Sequence, residues 1–280
     1  MKHDNGFKYF SLGTIWLWLT VFALLPLCLV ILASFFSHNQ EQLVTAPFTF
    51  ENYLNLFNPF HLTVKIFERS FYIAGLSTII CLVLGYPFAF FIARMRNGWK
   101  GFLILLVIIP FWTSSLIRTY SMITILKPKG MLFGLTHHTI HILYTDMAVL
   151  IGLVYNLLPF MILPLLTNIE RLDQQLIDAA KDLGANRFTT FTRIILPLTM
   201  PGILAGCILV FLPAMTIFYI PDLLGGAKSI LLGNLIQSQF LVSQNWPGGS
   251  AVSIALTLLL GVLLMIYWRS KRDDEATELL

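Results

Sequence analysis

Residues 226–229 of this sequence look at first like part of a phosphate-binding loop, which would indicate ATP hydrolysis. A P-loop needs glycine immediately before its lysine and another glycine five residues earlier. Here Ala227 precedes Lys228, and Asp222 occupies the earlier position. The topology inferred below also puts this segment outside the cytoplasm. We therefore expect no catalytic residues in this chain, and any ATP would be hydrolysed by a partner.

Histidines and cysteines are the other side chains whose chemistry could matter. One histidine cluster could share a helical face, but its segment carries no carboxylate or cysteine to complete a metal site. The histidines are His137, His138 and His141. Each cysteine lies inside an apolar run, without a CxxC pattern. The cysteines are Cys28, Cys81 and Cys207. No Ser/His/Asp or paired-carboxylate arrangement falls within a span or a short loop, so we expect neither a metal, a cofactor nor an enzyme active site.

The composition is that of a membrane protein. Of 280 residues, 57% are hydrophobic and only 11% are charged, whereas a soluble domain carries about 25% charged residues. The apolar residues form uncharged runs close to or above the roughly 20 residues that a membrane-spanning helix needs. These runs are 11–36, 70–93, 101–117, 147–169, 194–221 and 251–268. The sequence predicts an all-α integral membrane protein with six transmembrane helices, the third of which could continue to Leu126, and a polar loop over 233–250.

The distribution of Lys and Arg predicts the orientation. If both termini are cytoplasmic, the inside segments hold twelve basic residues and the outside segments hold six. Because basic residues are enriched in cytoplasmic loops, this orientation is favoured. The segment after the third run is the exception, since it should be external and yet contains Arg118, Lys127 and Lys129.

The loop between the fourth and fifth runs, residues 170–197, contains an amphipathic pattern. Leucine and alanine recur at positions that share one helical face, namely Leu172, Leu176, Ala179, Ala180 and Leu183. Asp173 is suited to cap the start of this helix, and Gly184 is suited to end it. Asn186 can then cap a second short helix that runs to Pro197. By periodicity alone, the loop is either a docking device for a soluble partner or an ordinary surface helix.

The residue order of this loop resembles the EAA loop of ABC importer permeases. That loop has the form EAA, three residues, Gly, nine residues and I-x-L-P, and every spacing is met here. The matching residues are Asp178, Ala179, Ala180, Gly184, Ile194, Leu196 and Pro197. Asp178 replaces the usual Glu, which keeps the charge but shortens its reach. In that family the loop forms coupling helices that fit a groove on the ATP-binding subunit, so the resemblance implies the same role here.

The resemblance extends over nearly the whole chain and points to the spermidine/putrescine permeases of PotB type. The segments that carry it are 49–53, 85–89, 110–113, 115–118, 152–155, 158–160, 222–223 and 225–228. It implies the type I permease fold of ABC importers, in a bacterial inner membrane. It also implies a second homologous permease, two ATP-binding subunits and a periplasmic polyamine-binding protein. Relatives that carry sulfate, ferric ion or thiamine have the same loop and span number, so the substrate stays open.

We expect the chain to divide into three parts. These are an N-terminal helix with its external loop at 1–64, a core of five transmembrane helices at 65–270 and a cytoplasmic tail at 271–280.

An ion-gradient-driven secondary transporter is the alternative class. It would need ionisable residues buried at mid-membrane, and none is evident in the six runs.

If the solute is a polyamine, its route should offer carboxylate, amide and aromatic groups to the ammonium groups. The candidates in the third to fifth runs and directly after them are Asp222, Tyr219, Tyr155, Asn156 and Trp112. The alternative is that Asp222 caps a surface turn and the aromatic residues only pack between helices. Arg118 either reaches to the membrane interface or serves as a structural charge partner near the pathway. A basic residue does not attract a cation, so Arg118 is not counted as a ligand.

Overall fold

The computed structural model describes residues 5–39, 42–57, 62–95, 97–128, 141–226 and 229–277. Some residues considered above lie outside the described residues, namely Lys129, His137, His138, Ala227 and Lys228. The chain divides into two compact units. The smaller unit comprises Met1–Val64 and Leu235–Gly261, and the larger comprises Lys65–Asn234 and Val262–Leu280.

Helices make up most of the described chain. They are α1 (Asn5–Leu19), α2 (Leu25–Ser34), α3 (Glu51–Phe57), α4 (Leu62–Ala93), α5 (Asn97–Ile108), α6 (Ser115–Leu126), α7 (Asp146–Glu170), α8 (Gln174–Asp182), α9 (Arg187–Thr190), α10 (Leu196–Thr216), α11 (Leu232–Gln237) and α12 (Trp246–Thr277). A π-helical turn at Thr20–Leu24 joins α1 to α2, and another at Phe191–Ile195 joins α9 to α10. The described strands, β1 (Phe36–Asn39) and β2 (Gln42–Phe48), pair as an antiparallel hairpin.

Five helical stretches of the described residues are long and apolar enough to cross a membrane. They are Ser11–Ser34, Leu62–Ala93, Asp146–Glu170, Arg187–Thr216 and Trp246–Arg269. A sixth span is formed if Gly98–Trp112 and Ser115–Leu126 are counted together, since they are separated by a bend of 95°. The predicted all-α membrane fold with six spans is therefore confirmed.

The third span differs from a simple helix over 101–117. Pro110 cannot donate a backbone hydrogen bond, and the chain around it tightens into a 3₁₀ turn at Ile109–Trp112. Thr113 then adopts an extended backbone, and its hydroxyl donates to the Pro110 carbonyl over 3.0 Å. Helix α6 starts directly afterwards and ends at Leu126. The bend therefore divides this span into two helices.

The prediction of a polar loop over 233–250 is wrong in part. Residues 232–237 form α11, and α12 already begins at Trp246. Polar side chains satisfy the backbone at both helix starts. Asn234 Oδ1 accepts from Leu231 N over 3.2 Å, and Asn245 Oδ1 accepts from Gly248 N over 3.0 Å. The polar residues that suggested a loop are thus helix-capping residues.

In the smaller unit, side chains of α3 bind the end of α2 and the start of β1. Asn52 Nδ2 donates to the carbonyls of Ser34 and Phe36, over 3.0 and 2.8 Å. Tyr53 Oη and Ser34 Oγ are 2.7 Å apart and share a hydrogen bond. These bonds fix the chain where it leaves the first span.

In the larger unit, α7 and α10 pack closely because α10 presents two glycines to α7. A Cβ atom at Gly202 would lie 2.6 Å from Asn168 Cβ, and one at Gly206 would lie 2.7 Å from Met161 Sδ. Met161 and Leu165, both on α7, are fully buried. Gly202 and Gly206 are spaced as a GxxxG pair, the spacing that is typical of such close helix contacts.

We predict that Gly202→Ala destabilises the larger unit by about 1–3 kcal/mol, because the new methyl group overlaps Asn168 Cβ and neither helix backbone can easily move away. Thermal unfolding of the purified protein in detergent measures the effect. Gly75→Ala is the matched control, since a Cβ atom there meets nothing within 4 Å. Equal unfolding temperatures for the two variants would contradict the close contact.

Candidate functional site

The loop that connects α7 to α10 folds into two capped helices, as predicted. Asp173 Oδ1 accepts from Gln175 N over 2.9 Å at the start of α8. Gly184 ends α8 with a φ of +82°, and its N–H donates to the Lys181 carbonyl over 2.9 Å. Asn186 Oδ1 accepts from Thr189 N over 2.8 Å at the start of α9. Both predicted caps and the glycine stop are therefore confirmed.

The apolar side chains of this loop point in two directions. Ile177 and Ala180 are buried against the rest of the larger unit. Leu176, Leu183 and Phe188 are exposed, by 50%, 90% and 76%. The single apolar face read from the sequence is thus corrected, since it included Leu176 and Leu183 and omitted Ile177. Leu176 and Leu183 precede the span Arg187–Thr216, and Phe188 lies at its start. Large apolar side chains that are uncovered at such positions are typical of a protein-binding surface.

Asp178 makes local polar contacts on the exposed side of α8. Lys181 Nζ lies 2.7 Å from Asp178 Oδ1, and Gln174 Nε2 lies 3.4 Å from the same oxygen. The hydrogen bond from Lys181 lowers the pKa of Asp178 below its usual value. The carboxylate therefore stays ionised at neutral pH, and its charge is held on α8 next to Ala179, which is also exposed.

The last three motif residues lie where the loop enters the fifth span. Ile194 is in the π-helical turn at Phe191–Ile195, and Leu196 and Pro197 are the first two residues of α10. The helix is continuous there, since the Leu196 N–H donates to the Phe191 carbonyl, and the π-helical turn lies directly before Pro197, which has no N–H to donate. The motif thus begins on α8 and ends on α10, and the α7–α10 pair holds both ends of the loop.

A cavity of about 420 Å³ lies among α6, α7, α10 and the segment that follows α10. Its lining includes Ser115, Arg118, Asn156, Phe160, Ile217 and Tyr219. Tyr219 Oη donates to Ser115 Oγ over 2.8 Å, which links the segment after α10 to the start of α6. The bend in the third span therefore forms part of the cavity wall.

Two lining residues carry buried polar atoms that have no hydrogen-bond partner within the described part of the chain. Asn156 is 4% exposed, and while its Nδ2 donates to the Gly152 carbonyl over 2.9 Å, its Oδ1 is buried and accepts no hydrogen bond. Arg118 has buried Nε and Nη1 atoms that also have no hydrogen-bond partner. Its guanidinium carbon lies 5.8 Å from the centre of the Tyr155 ring. Arg118 thus faces the cavity.

The structure brings some of the candidate pathway residues together and leaves others apart. Asn156 and Tyr219 line the same cavity, and Tyr155 contacts Arg118 in its wall. Trp112 lies beside the lining residue Phe111 but is 75% exposed and does not line the cavity. Asp222 also lies outside the lining, where its Oδ1 accepts from Asn234 Nδ2 over 2.5 Å. The predicted set is therefore only partly assembled.

Comparison with known proteins decides the family. The profile described as "Binding-protein-dependent transport system inner membrane component" matches residues 85–270. The chain belongs to this family. It is thus a multi-pass inner-membrane transport component of an ABC importer.

Curated relatives of the permease match it over nearly its full length. The Haemophilus influenzae "Spermidine/putrescine transport system permease protein PotB" is 50% identical over 275 residues, which is 96% of each chain. The Escherichia coli protein of the same name is 48% identical over 261 residues, or 91% of this chain and 94% of the relative. The Escherichia coli "Inner membrane ABC transporter permease protein YdcU" is 31% identical, over 80% of this chain and 75% of the relative. The permease is therefore of PotB type.

Solved structures share the fold of the permease. A chain of a bacterial ABC transporter involved in the import of the acidic polysaccharide alginate superposes with a TM-score of 0.76, at 19% identity. That match covers 97% of this chain and 96% of the other. A second chain, from the alginate transporter in complex with a pentasaccharide-bound periplasmic protein, gives a TM-score of 0.75 at 18% identity. The ABC importer permease fold expected from the EAA-like loop is thus confirmed.

A polar cluster that sequence reasoning missed links α4, α7 and the segment before α11. Arg69 Nη2 and Ser229 Oγ both donate to Asp146 Oδ1, over 2.5 and 2.6 Å. Next to it, the Leu232 N–H donates to Ser70 Oγ over 2.8 Å. Asp146 is separated from Arg69 by 77 residues and from Ser229 by 83 residues, so no local spacing pattern indicated the cluster.

We predict that Asn234→Ala lowers the free energy of unfolding by about 1–3 kcal/mol, because it removes three hydrogen bonds and leaves the buried Leu231 N–H unpaired. Thermal unfolding in detergent measures the loss. The matched control is Gln237→Ala, a half-buried position on the same helix α11. If both variants unfold at the wild-type temperature, Asn234 does not hold Asp222 as described.

Proposed function

We propose that this permease is one transmembrane subunit of an ATP-driven importer for the polyamines spermidine and putrescine. The observation that carries the proposal is 50% identity over 96% of both chains to a protein named as a spermidine/putrescine permease. Identity this high over the whole length covers the cavity as well as the loop. The alginate transporter structures, at 18–19% identity, support the fold alone.

The proposed assembly contains a second homologous permease subunit, two ATP-binding subunits and a periplasmic polyamine-binding protein. ATP is hydrolysed by the ATP-binding subunits and not by this chain. The exposed apolar side chains of the coupling loop, Leu176, Leu183 and Phe188, form the surface for one ATP-binding subunit. The charged side chain of Asp178 adds a polar contact with this subunit. The small exposed side chain of Ala179 allows the subunit to approach α8 closely.

The proposed orientation follows the distribution of basic residues, with both termini and the coupling loop in the cytoplasm. Within it, residues 1–64 serve as an anchor with an external loop, residues 65–270 form the permease core and residues 271–280 form a tail. In this orientation the loop at 170–197 faces the ATP-binding subunits, and Asp222 faces the binding protein.

We propose that the ATP-binding subunit acts on the cavity through α7 and α10, the two helices that the loop connects. The loop joins the end of α7 to the start of α10, and these two helices also provide Asn156 and Pro213 to the cavity wall. A displacement of α8 by the ATP-binding subunit would therefore be passed to both helices. Asn156, Tyr219 and Tyr155 would meet the solute at the cavity, while Asp222 and Trp112 would meet it outside the cavity lining.

We predict that Gly184→Val reduces uptake while the chain still inserts into the membrane. A β-branched residue is disfavoured at the φ of +82°, at a local cost of about 1–2 kcal/mol, so the end of α8 must rearrange. Uptake in proteoliposomes should fall about tenfold, the factor that corresponds to ~1.4 kcal/mol. Gly98→Val on α5 is the control, because Gly98 lies in open space without a positive φ. Full uptake and full ATPase coupling in the Gly184 variant would remove the loop from the coupling path.

The substrate is tested with the complete complex reconstituted in proteoliposomes. We predict ATP-dependent uptake of labelled spermidine that unlabelled putrescine competes with and that sulfate does not. The variant Asp222→Asn keeps the shape of the side chain and removes its charge. Its apparent affinity for polyamine should fall about tenfold, with assembly and basal ATPase activity retained, since one carboxylate contact to an ammonium group is worth on the order of 1–2 kcal/mol.

Two results would contradict different parts of this proposal. If neither polyamine competes for uptake by the wild-type complex, the substrate assignment is wrong. If polyamine uptake is normal and Asp222→Asn does not change it, the importer assignment stands and Asp222 is not in the pathway. Gln237→Ala, which changes a side chain on α11 without changing charge, serves as the control for nonspecific damage.

A further inference from the structure

The guanidinium group of Arg118 lacks hydrogen-bond acceptors in the wall of the cavity. Its Nε and Nη1 atoms are buried and have no partner, although each is a strong donor. The Tyr155 ring, 5.8 Å away, offers its π face to the positive charge but accepts none of these hydrogen bonds in the plane of the guanidinium. Buried polar groups without partners are rare in proteins. The residues that the structure describes therefore provide no acceptor for these two donors.

A second group in the same cavity is also unpartnered. Asn156 is 4% exposed, and its Oδ1 accepts no hydrogen bond. The cavity thus combines an unpaired cationic donor with an unpaired neutral acceptor. A solute ammonium group can donate to Asn156 Oδ1, but it cannot accept from Arg118. The unpaired donors of Arg118 need a different group, and a carboxylate satisfies both their geometry and their charge.

Four of the carboxylates that the structure describes in this unit are engaged elsewhere. The ion pairs found among the described residues join Asp146 to Arg69, Glu170 to Lys100 and Asp178 to Lys181. Asp222 accepts from Asn234. Within the described part of the chain, Arg118 is in none of these pairs.

The proposed polyamine substrate is a second reason to expect a carboxylate beside Arg118. A polyamine carries several positive charges, and an uncompensated guanidinium in the cavity wall would repel each of them. A carboxylate beside Arg118 would neutralise it and leave Asn156 and the aromatic faces as the groups that the ammonium meets. This argument rests on the polyamine function proposed above.

The surface around Arg118 indicates where the carboxylate comes from. On α6, the neighbouring Ile117 and Tyr120 are 65% and 57% exposed, so the described residues of this chain do not cover the helix there. The proposed importer contains a second permease whose helices must face the translocation path. We propose that a carboxylate side chain of this second permease binds the Arg118 guanidinium and closes the cavity from the partner's side.

The test uses the complex of the two permeases and the ATP-binding subunits, without polyamine. The fraction of partner permease that stays bound to the tagged chain is measured over a dilution series. Arg118→Gln should weaken this association by about tenfold, equivalent to ~1.4 kcal/mol. Arg118→Lys, which keeps the charge, should retain more of it. Lys127→Gln is the matched control, because it removes one charge from the exposed residue that follows α6 and should behave as wild type.

The partner's carboxylate is then located by changing each Asp and Glu in its membrane spans to the corresponding amide. One of these variants should by itself weaken association about as much as Arg118→Gln does, and the two changes together should weaken it no further. The single partner variants leave this chain intact, so their effect can be measured even if Arg118→Gln folds poorly. Unchanged association in Arg118→Gln would overturn the proposal, and so would additive effects for every partner carboxylate.

A free carboxylate solute is the other source of the same chemistry, and acetate serves as its probe. Millimolar acetate should not raise the unfolding temperature of the wild-type complex. If it does so only when Arg118 is present, the partner assignment is wrong. The association assay contains no polyamine, so its outcome is independent of the uptake test. Absence of polyamine uptake by the wild-type complex would overturn the proposed function even if Arg118 couples to the partner.

Discussion

The close contact between α7 and α10 is the constraint on which the rest of the permease core depends. Gly202 and Gly206 allow the two helices to approach until there is no space for a Cβ atom between them. In a lipid bilayer, burying apolar side chains between helices gives little hydrophobic stabilisation, because the lipid tails are equally apolar. Close contact between helix backbones instead provides the van der Waals packing that holds the helices together. The pair carries the coupling loop at one end and contributes to the cavity wall, so it connects the two candidate functional regions directly.

Polar contacts fix the ends of this pair to its neighbours. Asp146 starts α7 and binds Arg69 of α4, while Glu170 ends α7 and binds Lys100 of α5 over 3.1 Å. Inside the bundle, Tyr86 Oη lies 3.0 Å from Thr199 Oγ1, which ties α4 to α10. Hydrogen bonds between side chains contribute only modestly to helix association in membranes. Their value here is geometric, because they fix how α4, α5 and α10 approach one another while glycine contacts supply the packing.

Features that depend on adjacent residues were predictable from the sequence, and features that depend on distant ones were not. The caps at Asp173 and Asn186 and the stop at Gly184 follow from residue type and short spacing. The bend after Pro110 was not predicted, because a proline in a membrane span breaks the helix only where neighbouring groups satisfy the freed backbone. The Asp146 cluster and the unpaired Arg118 arise from residues far apart in the chain. Neither leaves a local pattern.

We predict that α7 and α10 move as one body when the ATP-binding subunits close. Spin labels on exposed positions of each helix, Thr167 on α7 and Leu198 on α10, would measure this directly in the reconstituted complex. Their separation should be the same in the nucleotide-free and ATP-bound states, while the separation between a label at Lys181 on α8 and its counterpart in the partner permease changes. A change of several ångströms between the α7 and α10 labels would contradict a rigid link from the coupling loop to the cavity.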